Sequence, residues 1–272
     1  VYPEFIGVFD AVAALGLPWP ARIALGTAGM IAMAVVTAAL SWISSAWLEW
    51  NFEAVFGALL GAGLLGVAFT YIHSTIRWLP SDVHGMGSRW HFALWNSDNY
   101  DRFLDPRIPQ VRHALAIDET RSQFGRVTWG GTLNRQQAEE KRFKQRWFAG
   151  NHSDVGGSYP EDESRLSDVA LMWMASEAVA LTHPLLVDWS KLHLHPDPHG
   201  TQHSEIFSQQ QGPWWARIVP WPNEPRQINP EAELDPSVYE RFNATCILDC
   251  DRKIPYRPEA LRHHLSVQHY YP

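Results

Sequence analysis

Cysteine is nearly missing from this chain: Cys246 and Cys250 are the only two among 272 residues. Four positions apart in one short segment, they supply neither a disulfide framework nor the paired ligands of a zinc ribbon, and they are compatible with a reducing compartment. Positive charge is scarce as well, with 22 Lys and Arg against 29 Asp and Glu and a net charge of −7. No cationic stripe is present, which excludes nucleic acid as a partner, because phosphate contacts need clustered cations. Outside the apolar segments described next, internal repeats and low-complexity linkers are also missing. What the chain does have is 46% hydrophobic residues, enough for one large domain or two small ones, so a disordered tail or a disulfide mini-scaffold is excluded. The sequence opens on Val1 and runs at once into Phe5-Ile6-Gly7-Val8-Phe9, a buried-strand pattern, and is therefore read as a fragment that starts inside a fold.

Charge itself disappears from two long stretches. Ile23 to Leu48 is 26 residues without Asp, Glu, Lys or Arg, and Ala54 to Ile76 is another 23, with Glu49-Trp50-Asn51-Phe52-Glu53 between them. At about 1.5 Å rise per residue, either run as a helix exceeds the roughly 30 Å hydrocarbon thickness of a bilayer. Ala24, Ala28 and Ala32 recur every fourth position, and Gly57 and Gly61 form a Gly-x-x-x-Gly pair, so two close-packed helices are expected. Trp19, Trp42, Trp47, Trp50 and Trp78 lie mostly near the ends, where indoles favour the headgroup region. The alternative is a pair of buried core helices or a lipase-like cap; a signal peptide does not fit an internal, double stretch without a processing site. Arg22 and Arg77 flank the hairpin and its turn carries only acids, which places the turn on the non-cytoplasmic side and the rest of the chain in the cytoplasm.

Three segments follow: residues 1–17, an apolar hairpin over 18–80, and residues 81–272. Val111 to Arg121 reads as a helix and Gln145 to Ala149 as a strand leading into the Gly-rich stretch Gly150 to Gly157. Ser164 or Ser167 then caps a helix running to about Ala180, with Leu166, Val169, Ala170 and Trp173 on one face. Strand, polar Gly loop and helix in that order indicate an α/β layered domain. After Thr182 the prolines leave little room for regular elements until the closing stretch.

Two places have the composition of a reacting site. Gly7-Val8-Phe9-Asp10 is a buried strand ending in a carboxylate, the position where an open α/β sheet places ligands and reacting groups, although an Asp there is also a common turn or helix cap. In Gly150-Asn151-His152-Ser153-Asp154-Val155-Gly156-Gly157-Ser158-Tyr159 a His stands among glycines just after an aromatic strand. Glycine permits close backbone approach, and His passes protons near neutral pH; a structural turn is the competing reading. A third stretch, KLHLHPDPHGTQH, holds His193, His195, Asp197, His199 and His203. Its prolines make convergence on a metal unpredictable and no zincin spacing accompanies it, so it is read as an exposed loop.

Phe5 to Gly16 (FIGVFDAVAALG), Arg112 to Glu119 (RHALAIDE), Trp147 to Tyr159 (WFAGNHSDVGGSY) and Leu166 to Met174 (LSDVALMWM), in this order, resemble the uncharacterised α/β-hydrolase family that includes phospholipase effectors of bacterial type VI secretion, the first family of those lipases. The resemblance implies an α/β-hydrolase fold, incomplete at the N-terminus and interrupted by the hairpin, and a Ser, Asp, His triad in that chain order. Asp10 matches the family's acid and His152 the His of its Gly-x-His-Ser-Asp-x-Gly-Gly signature. Ala11 stands where the family has Thr, and Asn151 where it has a small or apolar residue. A Gly-x-Ser-x-Gly elbow is absent, since Gly85-Met86-Gly87-Ser88 and Gly150 to Gly156 have the wrong spacing. The chain is thus expected to hold the acid and base of a triad without its nucleophile, and to be inactive alone. Asp154 is the alternative acid, His203 the fallback base, and Ser153 structural. The implied chemistry is a membrane-associated serine hydrolase acting on lipid or ester substrates, with no cofactor and no metal, held at the bilayer through residues 22–78, in the bacterial inner membrane with its hydrolase part cytoplasmic. The competing class is a degenerate hydrolase fold serving as a membrane-tethered interaction module.

Overall fold

The computed structural model describes residues 2–12, 19–78, 90–92, 107–125, 142–218 and 220–272. Its elements in chain order begin with strand β1 (Phe5–Phe9), helices α1 (Trp19–Leu48) and α2 (Phe52–Thr75), and strands β2 (Ile76–Trp78), β3 (Trp90–Phe92), β4 (Gln110–Ala116) and β5 (Phe143–Phe148). Helices α3 (His152–Gly156), α4 (Arg165–Val179), α5 (Glu205–Gln211) and α6 (Pro236–Asn243) and strands β6 (Ile247–Asp249) and β7 (Arg252–Ile254) follow. The chain divides into two compact units, Val1–Leu15 with Asp98–Pro272, and Gly16–Ser97.

The larger unit is an α/β layered structure. Its sheet has the order β1-β4-β5, all parallel, with Phe9 opposite Ala114 and Ala116 opposite Phe148. Parallel strands buried on both faces read as continuous apolar runs, and alternate residues along β4 and β5 feed two separate cores. Ala114, Ala116 and Phe148 pack with Val155, Val169, Ala170, Trp173 and Met174, so α4 covers one face. Leu115, Ile117 and Trp147 point to the other, where Leu234, Val238, Phe242, Tyr256, Leu261 and Val267 of the C-terminal segment cover them. Backbone bonds from Trp147 N to the Glu233 carbonyl (3.0 Å) and from Asp235 N to the Trp147 carbonyl (2.9 Å) bind that segment to β5.

Residues Val111 to Arg121 are not helical: they form β4 and the turn after it. Arg112 and His113 are buried in the central strand. Arg112 survives there because its guanidinium pairs with Glu177 and donates to the carbonyls of Val111 (3.0 Å) and Arg142 (3.2 Å). Hydrogen bonding to strands on both sides outweighs the helical propensity of Ala, Leu and Arg. The helix expected near Ala180 is α4, with Leu166, Val169, Ala170 and Trp173 buried. Ser164 occupies its N-cap position but makes no capping bond; its hydroxyl donates instead to the Glu161 carbonyl at 3.0 Å, and Ser167 donates to the Ser164 carbonyl at 2.7 Å.

The smaller unit contains α1 and α2, both long and apolar enough to cross a membrane. Asn51 caps α2, its side chain accepting from Ala54 N at 2.9 Å. The helices face each other through Met33, Ala34, Thr37, Ala38, Ser41, Ser44 and Ser45 on α1, the partly or fully buried positions at helical spacing. Ala24, Ala28 and Ala32 are instead exposed, and a Cβ at Gly57 or Gly61 would meet nothing within 4 Å. The close approach is at Gly63, where a Cβ would lie 2.7 Å from Met33 Sδ. The expected small-residue seam therefore lies elsewhere, because the bulky, flexible Met33 fills the space between the helices and selects the glycine opposite it. Gly85 to Ser88, the ends of the hairpin proposed at 18 and 80, and the side chains of Trp19, Arg22, Arg77 and Trp78 lie outside the described residues.

Candidate active site

Strand β1 ends at Asp10, whose backbone takes φ 42. Such a left-handed conformation is sterically costly for most residues and tolerated best by Asn and Asp. It holds because the turn is bonded on both sides: Asp10 N donates to the Ala114 carbonyl (2.7 Å), and Ala11 N donates to Nε2 of buried His113 (3.2 Å). The carboxylate is thereby turned across the C-terminal edge of β4, where Oδ1 accepts from Ala116 N at 2.9 Å.

His152 opens α3 at the same edge of the sheet. Its backbone is fixed by a reciprocal cap: Asn151 Oδ1 accepts from Asp154 N (2.8 Å) and Asp154 Oδ2 accepts from Asn151 N (3.0 Å). This loop needs Gly150, which has φ 105 and whose added Cβ would lie 2.4 Å from Asp154 Cβ. Asp118 ties the loop to β4, since Asp118 N donates to the Gly150 carbonyl (3.0 Å) while Asp118 Oδ2 accepts from Gly150 N (2.7 Å). His152 N in turn donates to Glu119 Oε2 (3.2 Å), and Glu119 is held by both arms of Arg121.

The structure brings Asp10 and His152 together, with Asp10 Oδ2 2.9 Å from His152 Nδ1. Burial alone pushes the Asp10 carboxyl upward, but the bonds from His152 and Arg226 and the Arg226 charge outweigh it and hold the group well below the usual carboxylate range. An ionised Asp10 can only accept, so Nδ1 carries the proton and Nε2 of a neutral His152 is left as an acceptor. Among the described residues no hydrogen bond to Nε2 is present, and the side chain is 30% exposed. The ring packs against Phe124 (centroids 5.5 Å apart), which meets Trp221 edge-on at 6.2 Å. The arrangement has the parts needed to accept a proton at Nε2 and to stabilise the resulting imidazolium from the Nδ1 side.

Asp154 does not reach His152. It accepts from His203 N (3.0 Å) and pairs with His203 Nδ1 (2.7 Å), while His203 Nε2 faces Glu163 Oε2 at 3.3 Å. Burial alone lowers the His203 pKa, but these two carboxylates reverse the effect and raise it. Tyr159 stacks on the His203 ring at 3.7 Å between centroids, accepts from Asn151 Nδ2 (3.0 Å) and donates to Glu205 (2.7 Å). Asp154, His203 and Tyr159 thus brace the Gly loop. In the His-rich stretch Asp197 accepts from His199 N at 2.8 Å, and no cluster of three metal-ligating side chains is present among the described residues.

The residue that sequence reasoning missed is Arg226. Its side chain is 6% exposed, and its Nη1 and Nη2 grip Oδ1 and Oδ2 of Asp10, the second at 2.9 Å. Nothing local marks this Arg in the Pro-rich segment 222–230; its role depends on a contact 216 positions away. Glu119 lay within a quoted motif, but only the fold shows that it holds the His152 backbone.

Comparison with the curated proteins and with the solved structures gave no match. Residues 67–177 match the family model described as T6SS, Phospholipase effector Tle1-like, catalytic domain, a stretch that includes His152 and α4 but neither Asp10 nor Arg226. That match likens the stretch to the type VI secretion phospholipase effectors and suggests phospholipase effector function.

Proposed function

We propose that the chain is the acid–base portion of a membrane-associated serine hydrolase of α/β-hydrolase type, cleaving carboxylic esters of lipids. The observation that carries this reading is the Asp10–His152 pair, 2.9 Å apart at the C-terminal edge of a parallel sheet. In the proposed reaction His152 Nε2 accepts the proton of a serine hydroxyl as its oxygen attacks the ester carbonyl, and returns it to the leaving alcohol. Asp10 keeps the ring oriented and stabilises the imidazolium. The nucleophile and its oxyanion hole belong to a Gly-x-Ser-x-Gly elbow that this sequence does not contain. Helices α1 and α2 hold the hydrolase at a bilayer; their outward residues, among them Leu25, Ile31, Val35, Leu65 and Phe69, are exposed apolar side chains. The absent elbow also favours a second reading, a catalytically silent, membrane-tethered interaction module.

Ester hydrolysis separates the two. The 272-residue chain is expected to be inert toward p-nitrophenyl and phospholipid esters, whereas a polypeptide that also carries the elbow hydrolyses them. In that longer protein His152→Ala lowers kcat by several orders of magnitude, and Asp10→Asn costs on the order of ten-thousand-fold. His203→Ala, which loosens the loop without touching the proton path, costs far less. Activity that survives loss of His152 rejects the assignment, and inactivity of the elbow-bearing protein supports the module.

A further inference from the structure

The buried Asp10 carboxylate is held by both His152 and a bidentate Arg226, so the acid faces a fixed positive charge as well as the imidazole. Arg226 is brought there by a strap laid along residues 120–122: Arg121 bridges Asn223, Ser122 N donates to the Pro222 carbonyl (3.2 Å), and Glu224 N donates to the Thr120 carbonyl (2.6 Å). The guanidinium is fixed further by donation to the Ala116 carbonyl (2.8 Å) and the Phe124 carbonyl (2.9 Å). Arg226 and His152 therefore share one carboxylate oxygen, Asp10 Oδ2, each at 2.9 Å from it.

We propose that Arg226 is a positioning residue that sets the proton affinity of the Asp10–His152 pair; the proposal rests on the reading of that pair as the acid and base of a hydrolase. Forked donation to both oxygens fixes the carboxylate plane, which in turn aims Oδ2 at the imidazole. The fixed positive charge also lowers the affinity of the pair for protons, so that His152 is neutral, and able to accept a proton, at lower pH than an unclamped Asp–His pair permits. The other charged groups near His152 do not replace this effect. Glu119 meets the backbone N of His152 and is neutralised by Arg121, and Arg121 lies over Phe124 at 3.6 Å. Glu205 is bonded to Tyr159, and Asp154 is paired with His203. Asp10 and His152 share one 2.9 Å hydrogen bond, so the quantity to measure is the upper macroscopic pKa of the pair.

The test is an NMR titration of the His152 ring in the detergent-solubilised chain, which needs no nucleophile and so fails or succeeds independently of ester hydrolysis. Arg226→Gln is expected to raise the upper pKa by a unit or more, a tenfold or greater gain in proton affinity, whereas the isocharged Arg226→Lys stays within half a unit of the wild type. If Arg226→Gln does not fold, the comparison moves to Asp10→Asn against Asp10→Asn with Arg226→Gln, which removes the buried charges together. Deleting the guanidinium must then raise the His152 pKa by at least a unit. A merely structural Arg226 changes stability and leaves these titrations in place, and a rise of less than one unit on removing the charge overturns the proposal.

Discussion

Asp118 joins the turn after β4 to the Gly loop, and its Oδ2 accepts from both Gly150 N (2.7 Å) and the Tyr256 hydroxyl (2.9 Å). Burial dominates over these bonds and pushes its carboxyl up to about 6. Its consequence for stability has a definite sign. A carboxyl with a raised folded pKa binds more protons in the native state than in the unfolded chain, so stability falls as pH rises from the unfolded value near 4 towards 6. Asp10 acts in the opposite direction, since its lowered pKa contributes stability present above about 4 and lost only on acidification. His203, with its raised pKa, adds stability that is complete below its unfolded value and is lost as pH rises through its folded value. Between pH 5 and 6 the Asp118 contribution falls by roughly 1 kcal/mol. Urea midpoints in detergent are expected to decline over that interval in the wild type and to stay level in Asp118→Asn. A decline that persists in the variant assigns the titration to another group.

At the scale of elements, the two helices of the hairpin were legible in the sequence because 26 and 23 charge-free residues leave few alternatives. The contact between them was not. Small-residue spacing alone marked Ala24, Ala28 and Ala32 with Gly57 and Gly61, but any glycine in a helix permits close approach and the partner side chain decides which one is used. Met33 against Gly63 is the result. Gly63→Leu is accordingly expected to weaken helix pairing, lowering the thermal midpoint of the detergent-solubilised chain by several degrees, while Gly57→Leu leaves it within about a degree. Equal effects at both positions would show that the seam runs elsewhere. Strand β4 illustrates the same limit. Its periodicity fits a helix as well as a fully buried strand, and only its neighbours β1 and β5 decide the matter. The candidate site was marked in the sequence to the same degree: Asp10 follows a strand and His152 stands in a Gly-rich loop, both local signals. Arg226 and the Asp154–His203 brace are formed by distant segments, and no local pattern records them.

For the whole molecule, the proposed membrane hairpin makes a prediction about which side of a bilayer each part occupies. Orientation in a membrane follows the Lys and Arg within about 15–20 residues of the spans, and acids contribute little. Here Arg22 and Arg77 flank the pair of spans from outside, and the turn from Glu49 to Glu53 has neither Lys nor Arg. A two-span hairpin returns the chain to the side it left, so residues before and after it share one compartment. On the proposed reading the positive flanks place that compartment in the cytoplasm and the turn on the opposite face. Trp47 (83% exposed) and Trp50 (58%) next to the turn fit a headgroup region there. Asn51 is the natural label position by location, but it caps α2, and its replacement removes the bond to Ala54 N, typically worth about 1 kcal/mol. Trp50→Cys, with Cys246 and Cys250 changed to Ser, avoids that loss. In intact cells of a Gram-negative host expressing this variant, a membrane-impermeant maleimide supplied from the periplasmic side is expected to label residue 50 without lysis. A second variant with Cys246 as the sole cysteine, itself exposed, is expected to react only after the membrane is opened. The reverse pattern inverts the topology, and equal labelling of both sites in intact cells removes the membrane-spanning hairpin altogether.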